Sequence, residues 1–204
     1  VGSPPVSAER VKWDQRYSAP GWLMGRSPKA VLRSWSGDLP SSGRALDLAC
    51  GEGQTAVFLA RRGLRVDGVD VSRVGLTKAR ALADSAGADI SSRIRLTDHD
   101  LGAGPPTSLS GPYALVTCLH YRQVGLIARI GSWLGPEGVL LVERPSVLAL
   151  ELGLEAPPAR FLAERGELIE EAHAAGCRVL RHEEGIFEGR AVARLLAVRT
   201  GPSQ

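Results

Sequence analysis

Cysteine is scarce in this sequence: three in 204 residues, Cys50, Cys118 and Cys177, each in an apolar context and none at metal-ligand spacing. An odd set of this kind excludes a disulfide framework, so they read as reduced core thiols, and a cytoplasmic location is expected. Apolar runs long enough to span a bilayer, roughly 18–20 residues, are missing as well. No membrane partner is expected. Lysine is nearly absent, since only Lys12, Lys29 and Lys78 stand among 25 basic residues. The 22 arginines run from Arg10 to Arg199 interleaved with 22 acids. Nucleic acid is therefore not an expected partner, because phosphate tracking wants a clustered cationic stripe. Methionine occurs once, at Met24. The opening "VGSPPVSAER" has neither the basic nor the apolar region of a signal peptide, and the missing initiator leaves room for a removed leader.

What is present is the composition of a globular domain, 44% hydrophobic and 23% charged, with the elements in alternation. Ser7 can cap a helix over "AERVKWDQRY", and a loop, "SAPGWLMGR", follows. Ser27 and Pro28 stand as N-cap and first residue of "KAVLRSW", which Gly37 ends. "RALDLAC" reads as a strand and "QTAVFLARR" as a helix closed by Gly63. "LRVDGVDV" is a second strand, and Ser72 can cap "RVGLTKARALADSAG". "RIRLTDHD" and "YALVTCL" are strands, "VGLIARIGSWL" a helix, and a Pro-Glu-Gly turn precedes the strand "VLLVE". Near-continuous apolar strands between helices predict a parallel sheet covered on both faces. A helix in "ERGELIEEAHAAG" then leads to "CRVLRHEEGIF" and "AVARLLAVR". The "EGR" between them is too short for anything but an antiparallel hairpin. The expected fold is α/β, a doubly wound, mostly parallel seven-stranded sheet with an antiparallel C-terminal hairpin.

The segment "LDLACGEGQT", residues 46–55, carries the chemistry. Ligands of such folds lie beyond the carboxyl ends of the strands. Acids stand at three of those ends: Asp47, Asp70, and Asp98 with Asp100. Residues 51–56 satisfy the loose dinucleotide pattern G-x-G-x-x-[GA], a weak signal by itself. Asp47 argues against it, since a carboxylate beside a diphosphate costs Coulomb energy in a partly dry pocket, and Glu52 adds to the objection. A ligand with an ammonium and a sulfonium suits both acids, and S-adenosylmethionine is such a ligand. Its amino-acid end would lie near Asp47, where glycines allow close backbone approach. Asp70 would accept from the ribose hydroxyls, and Asp100 from the adenine amino group beside the Leu101 backbone. Loop ordering is the alternative for Asp47 and Asp70. Asp98 and Asp100 compete for one role, with Asp100 preferred.

"ALDLACGEGQTAVFLARRGLRVDGVDVSRVGL" resembles the cofactor half of class I S-adenosylmethionine-dependent methyltransferases. With "VKWDQRY", "TDHDLG" and "ERGELIEEAHAAGCRVLRHEEG", the resemblance narrows to the tellurite-resistance and thiopurine methyltransferase-like branch and spans residues 10–199. It implies a Rossmann-like core over residues 41–204 behind an N-terminal helical lid segment over 1–40, in one domain, 1–204. It assigns Asp47, Gly51 and Gly53 to the methionine end of the cofactor, Asp70 to the ribose, and Asp100 with Leu101 to adenine, with Val71 among the cofactor-binding residues. Leu119 also belongs to the cofactor set, and Trp13 and Tyr17 match the aromatic pair that covers the cofactor. S-adenosyl-L-homocysteine would be the product, and no metal is implied. Two departures stand out. Thr55 replaces a third glycine, and "CLHYRQ" stands where an Asn-Pro-Pro-Tyr motif would indicate methylation of adenine or glutamine amino groups.

His120, just past the fourth strand, is the candidate catalytic residue, as base or hydrogen-bond donor, with Arg122 near it for an anionic substrate; a structural loop histidine is the alternative. His99, His173 and His182 read as structural. Two segments are expected to roof the pocket: "SAPGWLMGR", with Trp22 to Met24 and Arg26, and "PSVLALELGLEAPPARF", chiefly Val147 to Leu154. Such an apolar roof suits a small acceptor. The expected activity is methyl transfer to a small molecule by in-line displacement. Methylation of RNA or protein, a non-catalytic S-adenosylmethionine-binding module and a nicotinamide-dependent oxidoreductase are the competing readings.

Overall fold

Seven strands and eight α-helices are seen in the computed structural model, which describes residues 7–201. Helices α1 (Ala8–Tyr17) and α2 (Ala30–Ser34) precede β1 (Arg44–Leu48). There follow α3 (Gln54–Arg61), β2 (Arg65–Asp70), α4 (Arg73–Ser85), α5 (Ala88–Ser91), β3 (Ile94–Asp98) and β4 (Tyr113–Leu119). The chain continues through α6 (Leu126–Ile130), β5 (Leu134–Pro145), α7 (Leu148–Glu151), α8 (Glu167–Ala174), β6 (Cys177–Phe187) and β7 (Arg190–Arg199). The strands form one sheet of order β3-β2-β1-β4-β5-β7-β6. β1 to β5 pair in parallel, whereas β7 runs antiparallel to both its neighbours. The expected doubly wound sheet with one reversed strand near its edge is what forms. Among the described residues no helix is long and apolar enough to cross a membrane.

Strand residues alternate between two buried clusters, one on each face. Leu46, Leu48, Val116, Cys118, Leu140 and Val142 point toward the side covered by α6 and α8. Ala45, Leu115, Leu141 and Leu196 point toward the side covered by α2, α3 and α4. Burial on both faces is why these strands lack polar alternation. β6 and β7 meet through Glu188 and Gly189, both left-handed, at φ 49° and 75°; a two-residue turn of that hand matches strand twist.

Local signals set most helix ends. Ser72 caps α4 by accepting from the Gly75 N–H, and Gly63 follows α3 in the left-handed region. The expected start of the second helix was wrong: Lys29, not Ser27, is its N-cap, and Pro28 lies outside it. The helix expected over "VGLIARIGSWL" is also shorter, five residues followed by a 3-10 turn at Gly131–Trp133. There Gly131 meets the end of α8 so closely that a Cβ would lie 2.4 Å from the Ala175 carbonyl oxygen. Strand β5 is longer than "VLLVE", reaching back to Leu134 across a register shift between Tyr113 and Leu115.

Candidate cofactor and acceptor site

Strand order reverses between β1 and β4, and the loops leaving their carboxyl ends border a cavity of about 400 Å³. That is the size of a small-molecule site. Trp13, Tyr17, Asp47, Gly51, Asp70 and Val71 line it, as do Asp100, Leu101, Leu119, His120 and Arg122. Of the residues expected at the site, Gly53 is the one outside it. It is the left-handed N-cap of α3, and a Cβ there would lie 2.8 Å from the Ala79 Cβ and 2.9 Å from its Cα. Its task is close packing of α3 on α4. Gly51 does face the cavity, with φ 53°, and a Cβ would sit 2.6 Å from the Tyr17 hydroxyl.

Asp47 is only 2% exposed. The Thr117 hydroxyl donates to its Oδ1 at 2.8 Å, while Oδ2 has no partner among the described residues. Burial pushes its pKa up to about 7, against the Thr117 hydrogen bond and with help from the Asp70 charge. A buried, half-satisfied carboxylate on a cavity wall is what a fixed ammonium would complete. Asp70 is arranged differently. Its Oδ2 accepts from the Gly51 N–H and its Oδ1 from the Ser72 N–H, each at 2.8 Å. Burial raises its pKa, and these backbone donors oppose the rise. Turn ordering and a place on the cavity wall, read from the sequence as alternatives, coexist in this residue.

Glu52 does not offer its charge to a ligand. The Leu23 and Met24 N–H groups donate to its carboxylate at 3.1 and 3.0 Å, and Lys78 pairs with it at 3.2 Å. Lys78 also donates to the Ala19 and Gly21 carbonyls, so this half-buried pair ties down the loop between α1 and α2. The two candidate acids after β3 separate as well. Asp98 is claimed by Arg10 and Arg73, whereas Asp100 lines the cavity and accepts from the Gly102 N–H at 2.9 Å.

Helix α1 lies against α4 through these contacts. Arg10 reaches Asp98, and Asp14 accepts from the Ser72 hydroxyl and from the Val74 N–H. Trp13 and Tyr17 stack with ring centroids 5.6 Å apart. If α1 is a lid, its amides should exchange more slowly once S-adenosylhomocysteine is added. Hydrogen exchange over residues 8–17 reads this directly, and exchange indifferent to the ligand would end the lid idea.

On the acceptor side, His120 is held at φ 60° by its N–H, which donates to the Glu143 carbonyl at 2.7 Å. Its Nε2 lies 2.9 Å from Glu143 Oε1, and Arg194 Nε donates to Glu143 Oε2 at 2.7 Å. Burial acts to raise the Glu143 pKa, but His120 and Arg194 outweigh it and hold the carboxyl below its ordinary range. Glu143 and Arg194 were missed in the sequence. Their signal was a charge at the end of the apolar run "VLLVE" and another inside "AVARLLAVR", and β5–β7 pairing sets them directly opposite.

Arg122 borders the cavity, yet it is not free for an anion. Its Nε and Nη2 donate to Glu167 at 2.7 and 2.9 Å, and its Nη1 to the Arg160 carbonyl at 3.1 Å. The fully buried Arg144 holds Glu167 and Glu171 from the other side. The expected roof needs correction too. Met24 reaches the cavity, but Leu150, Leu152 and Leu154 are exposed and away from it. Arg160 and Phe161, the last two residues of the second expected roof segment, do border it, in a 3-10 turn. His99 also lines it, with Nε2 2.9 Å from the Gly104 carbonyl, while His173 and His182 lie elsewhere. All three cysteines are free and buried. Among the described residues no three His, Cys, Asp or Glu side chains gather as a metal-binding group.

Residues 45–138 match the family model described as "Methyltransferase domain". Over those residues the chain is similar to methyltransferase domains. The chain is 38% identical over 131 residues to YqeM of Bacillus subtilis (strain 168), a methyltransferase by name. That match takes in 59% of this chain and 50% of YqeM, so the chain spans about half the length of this relative. Among solved structures, magnesium protoporphyrin IX methyltransferase (ChlM) from Synechocystis PCC 6803 with bound SAH superposes with a TM-score of 0.65 at 20% identity. The overlap covers 98% of this chain and 90% of ChlM. The glycopeptide N-methyltransferase MtfA complexed with S-adenosylmethionine gives 0.63 at 19% identity, covering 82% and 92% of the two chains. At such identities the likeness is one of fold.

Proposed function

We propose that this chain transfers a methyl group from S-adenosylmethionine to a small-molecule acceptor. The observation that carries the reading is the buried Asp47 carboxylate, one oxygen unpartnered among the described residues, on the wall of a cavity bordered by the Gly51 turn. A dinucleotide would bring its diphosphate to that acid, at a Coulomb cost. When bound, the sulfonium supplies an activated methyl: the acceptor's lone pair bonds to the methyl carbon as the carbon–sulfur pair returns to sulfur, leaving S-adenosylhomocysteine. The chain's part is to bind and align. Asp47 takes the ammonium, Asp70 the ribose hydroxyls, and Asp100 with Leu101 the adenine. Val71 and Leu119 flank the cofactor, and Trp13 and Tyr17, in the segment 1–40, exclude water from above; residues 1–6 lie outside the described residues. With the His120 Nε2–H donated to Glu143, Nδ1 is the ring nitrogen that would accept a proton from an acceptor that carries one.

A small acceptor is supported by the dispersed arginines and by the names of ChlM and MtfA, which refer to a porphyrin and a glycopeptide. The tellurite-resistance and thiopurine methyltransferase-like branch rests on "VKWDQRY" and "TDHDLG", and a cytoplasmic location on the free cysteines. Calorimetry should show S-adenosylhomocysteine binding with Kd on the order of micromolar and NAD(H) not binding. A labelled-methyl assay on cell extract should place label among small molecules. Label concentrated in RNA or protein would replace this acceptor class.

A further inference from the structure

We propose that the methyl acceptor is a small carboxylate and that Lys29 and Arg190 hold its anionic group in a second cavity beside His120. This names the acceptor class of the site proposed above and rests on that reading. The second cavity, about 320 Å³, shares Met24, Lys29 and His120 with the cofactor cavity. Its other walls come from the start of α2 and from the paired ends of β5, β6 and β7.

The charges of the two cavities are opposite. The first is bordered by Glu9, Asp47, Glu52, Asp70 and Asp100 against Lys29, Arg122 and Arg160, an acidic balance. The second is bordered by Lys29, Arg33, Arg190 and Arg194, against only Glu143 and Glu188. Both carboxylates are already engaged. Glu143 is bound by His120 and Arg194, and Glu188 by Arg33 at 3.0 Å. Lys29 and the exposed Arg190 remain, and neither side chain has a hydrogen bond or ion pair with any described residue.

Lys29 is half-buried, and burial together with the neighbouring Arg190 charge lowers its pKa. Two unpaired cations sharing a cavity repel each other, and the repulsion grows as water is displaced. A carboxylate between them removes that cost and gains charge-assisted hydrogen bonds, bidentate ones where Arg190 supplies them. The expected role of Arg122 in holding an anion passes to this pair, since Arg122 is committed to Glu167. His120 stands at the junction of the cavities, where an acceptor anchored by its carboxylate would meet the cofactor's methyl group.

The test uses protein saturated with S-adenosylhomocysteine, titrated calorimetrically with benzoate, salicylate and phenylacetate, each paired with its neutral amide. Carboxylates should bind at least about tenfold tighter than their amides, a difference of about 1.4 kcal/mol. Arg190→Gln and Lys29→Met should each reduce that preference to about threefold or less, and Arg190→Gln should keep the wild-type affinity for S-adenosylhomocysteine. If the wild type does not bind S-adenosylhomocysteine, the cofactor reading falls. If it binds but carboxylates show no preference over amides, or the preference survives both substitutions, the acceptor proposal falls and the cofactor reading stands.

Discussion

Asp47→Asn is expected to make the protein more stable and to strip it of cofactor affinity. The Asp47 carboxyl has a pKa of about 7 in the fold against an ordinary 3.8. Between those values the folded chain holds a proton that the unfolded chain has released. Stability therefore falls as pH rises through that window, and the full cost, up to about 4 kcal/mol, is present above it. Asparagine carries no charge to bury and keeps an oxygen for the Thr117 hydroxyl. In urea melts at pH 8 the variant should be the more stable protein, and its advantage should shrink toward pH 4. Cofactor binding should move the other way. A hydrogen bond to a charged group contributes ~1.5–3 kcal/mol, so losing it raises the Kd for S-adenosylhomocysteine roughly 10- to 150-fold. In the wild type the ligand's ammonium must expel the Asp47 proton below pH 7. Affinity should accordingly weaken by up to about tenfold per pH unit there. A flat pH profile with unchanged stability of the variant would remove the ammonium role from Asp47.

The second large effect is expected at His120. Replacing it with alanine should lower turnover by about 10²- to 10⁴-fold when the acceptor must lose a proton. The KM for S-adenosylmethionine should change little, because the anchors proposed for the cofactor are Asp47, Asp70 and Asp100. Glu143→Gln tests the geometry behind this. It keeps the size of the side chain but removes the charge that orients His120 and pairs with Arg194, so turnover should fall by less than in His120→Ala. A labelled-methyl assay over both variants decides the matter. Wild-type turnover in a folded His120→Ala protein would make the residue a loop histidine and the acceptor a nucleophile that needs no base.

The parts legible in the sequence were those governed by near neighbours along the chain. "YALVTCL" is β4 residue for residue, Ser72 caps α4, and Gly63 closes α3, because strand burial and helix capping are written within a few positions. The acids that line the cofactor cavity were readable for a related reason, since each stands at or just beyond the end of a recognisable parallel strand. Failures came where distant segments decide. Gly51 and Gly53 look equivalent in "CGEGQ", but one faces the cavity and the other packs on Ala79, twenty-six residues away. Glu143 and Arg194 meet only through strand register, and Arg122 loses its freedom to Glu167 across the fold. The apolar leucines after β5 looked like a roof, yet Leu150, Leu152 and Leu154 face solvent. Hydrophobicity by itself does not say which surface a short helix turns inward.

The place of β7 between β5 and β6 constrains how the molecule is made. β6 leaves the ribosome first, but it touches the rest of the sheet only through β7. The hairpin must therefore close on itself before, or as, it docks on β5. Until Arg190–Arg199 has been synthesised, β5 presents an open backbone edge, and Glu143 lacks the arginine that neutralises it. A nascent chain stopped short of β7 carries both a sticky edge and an unpaired buried charge, the features that quality-control proteases and chaperones recognise. β7 thus does two things at once: it closes the edge of β5 and sets Arg194 against Glu143, the partner of His120.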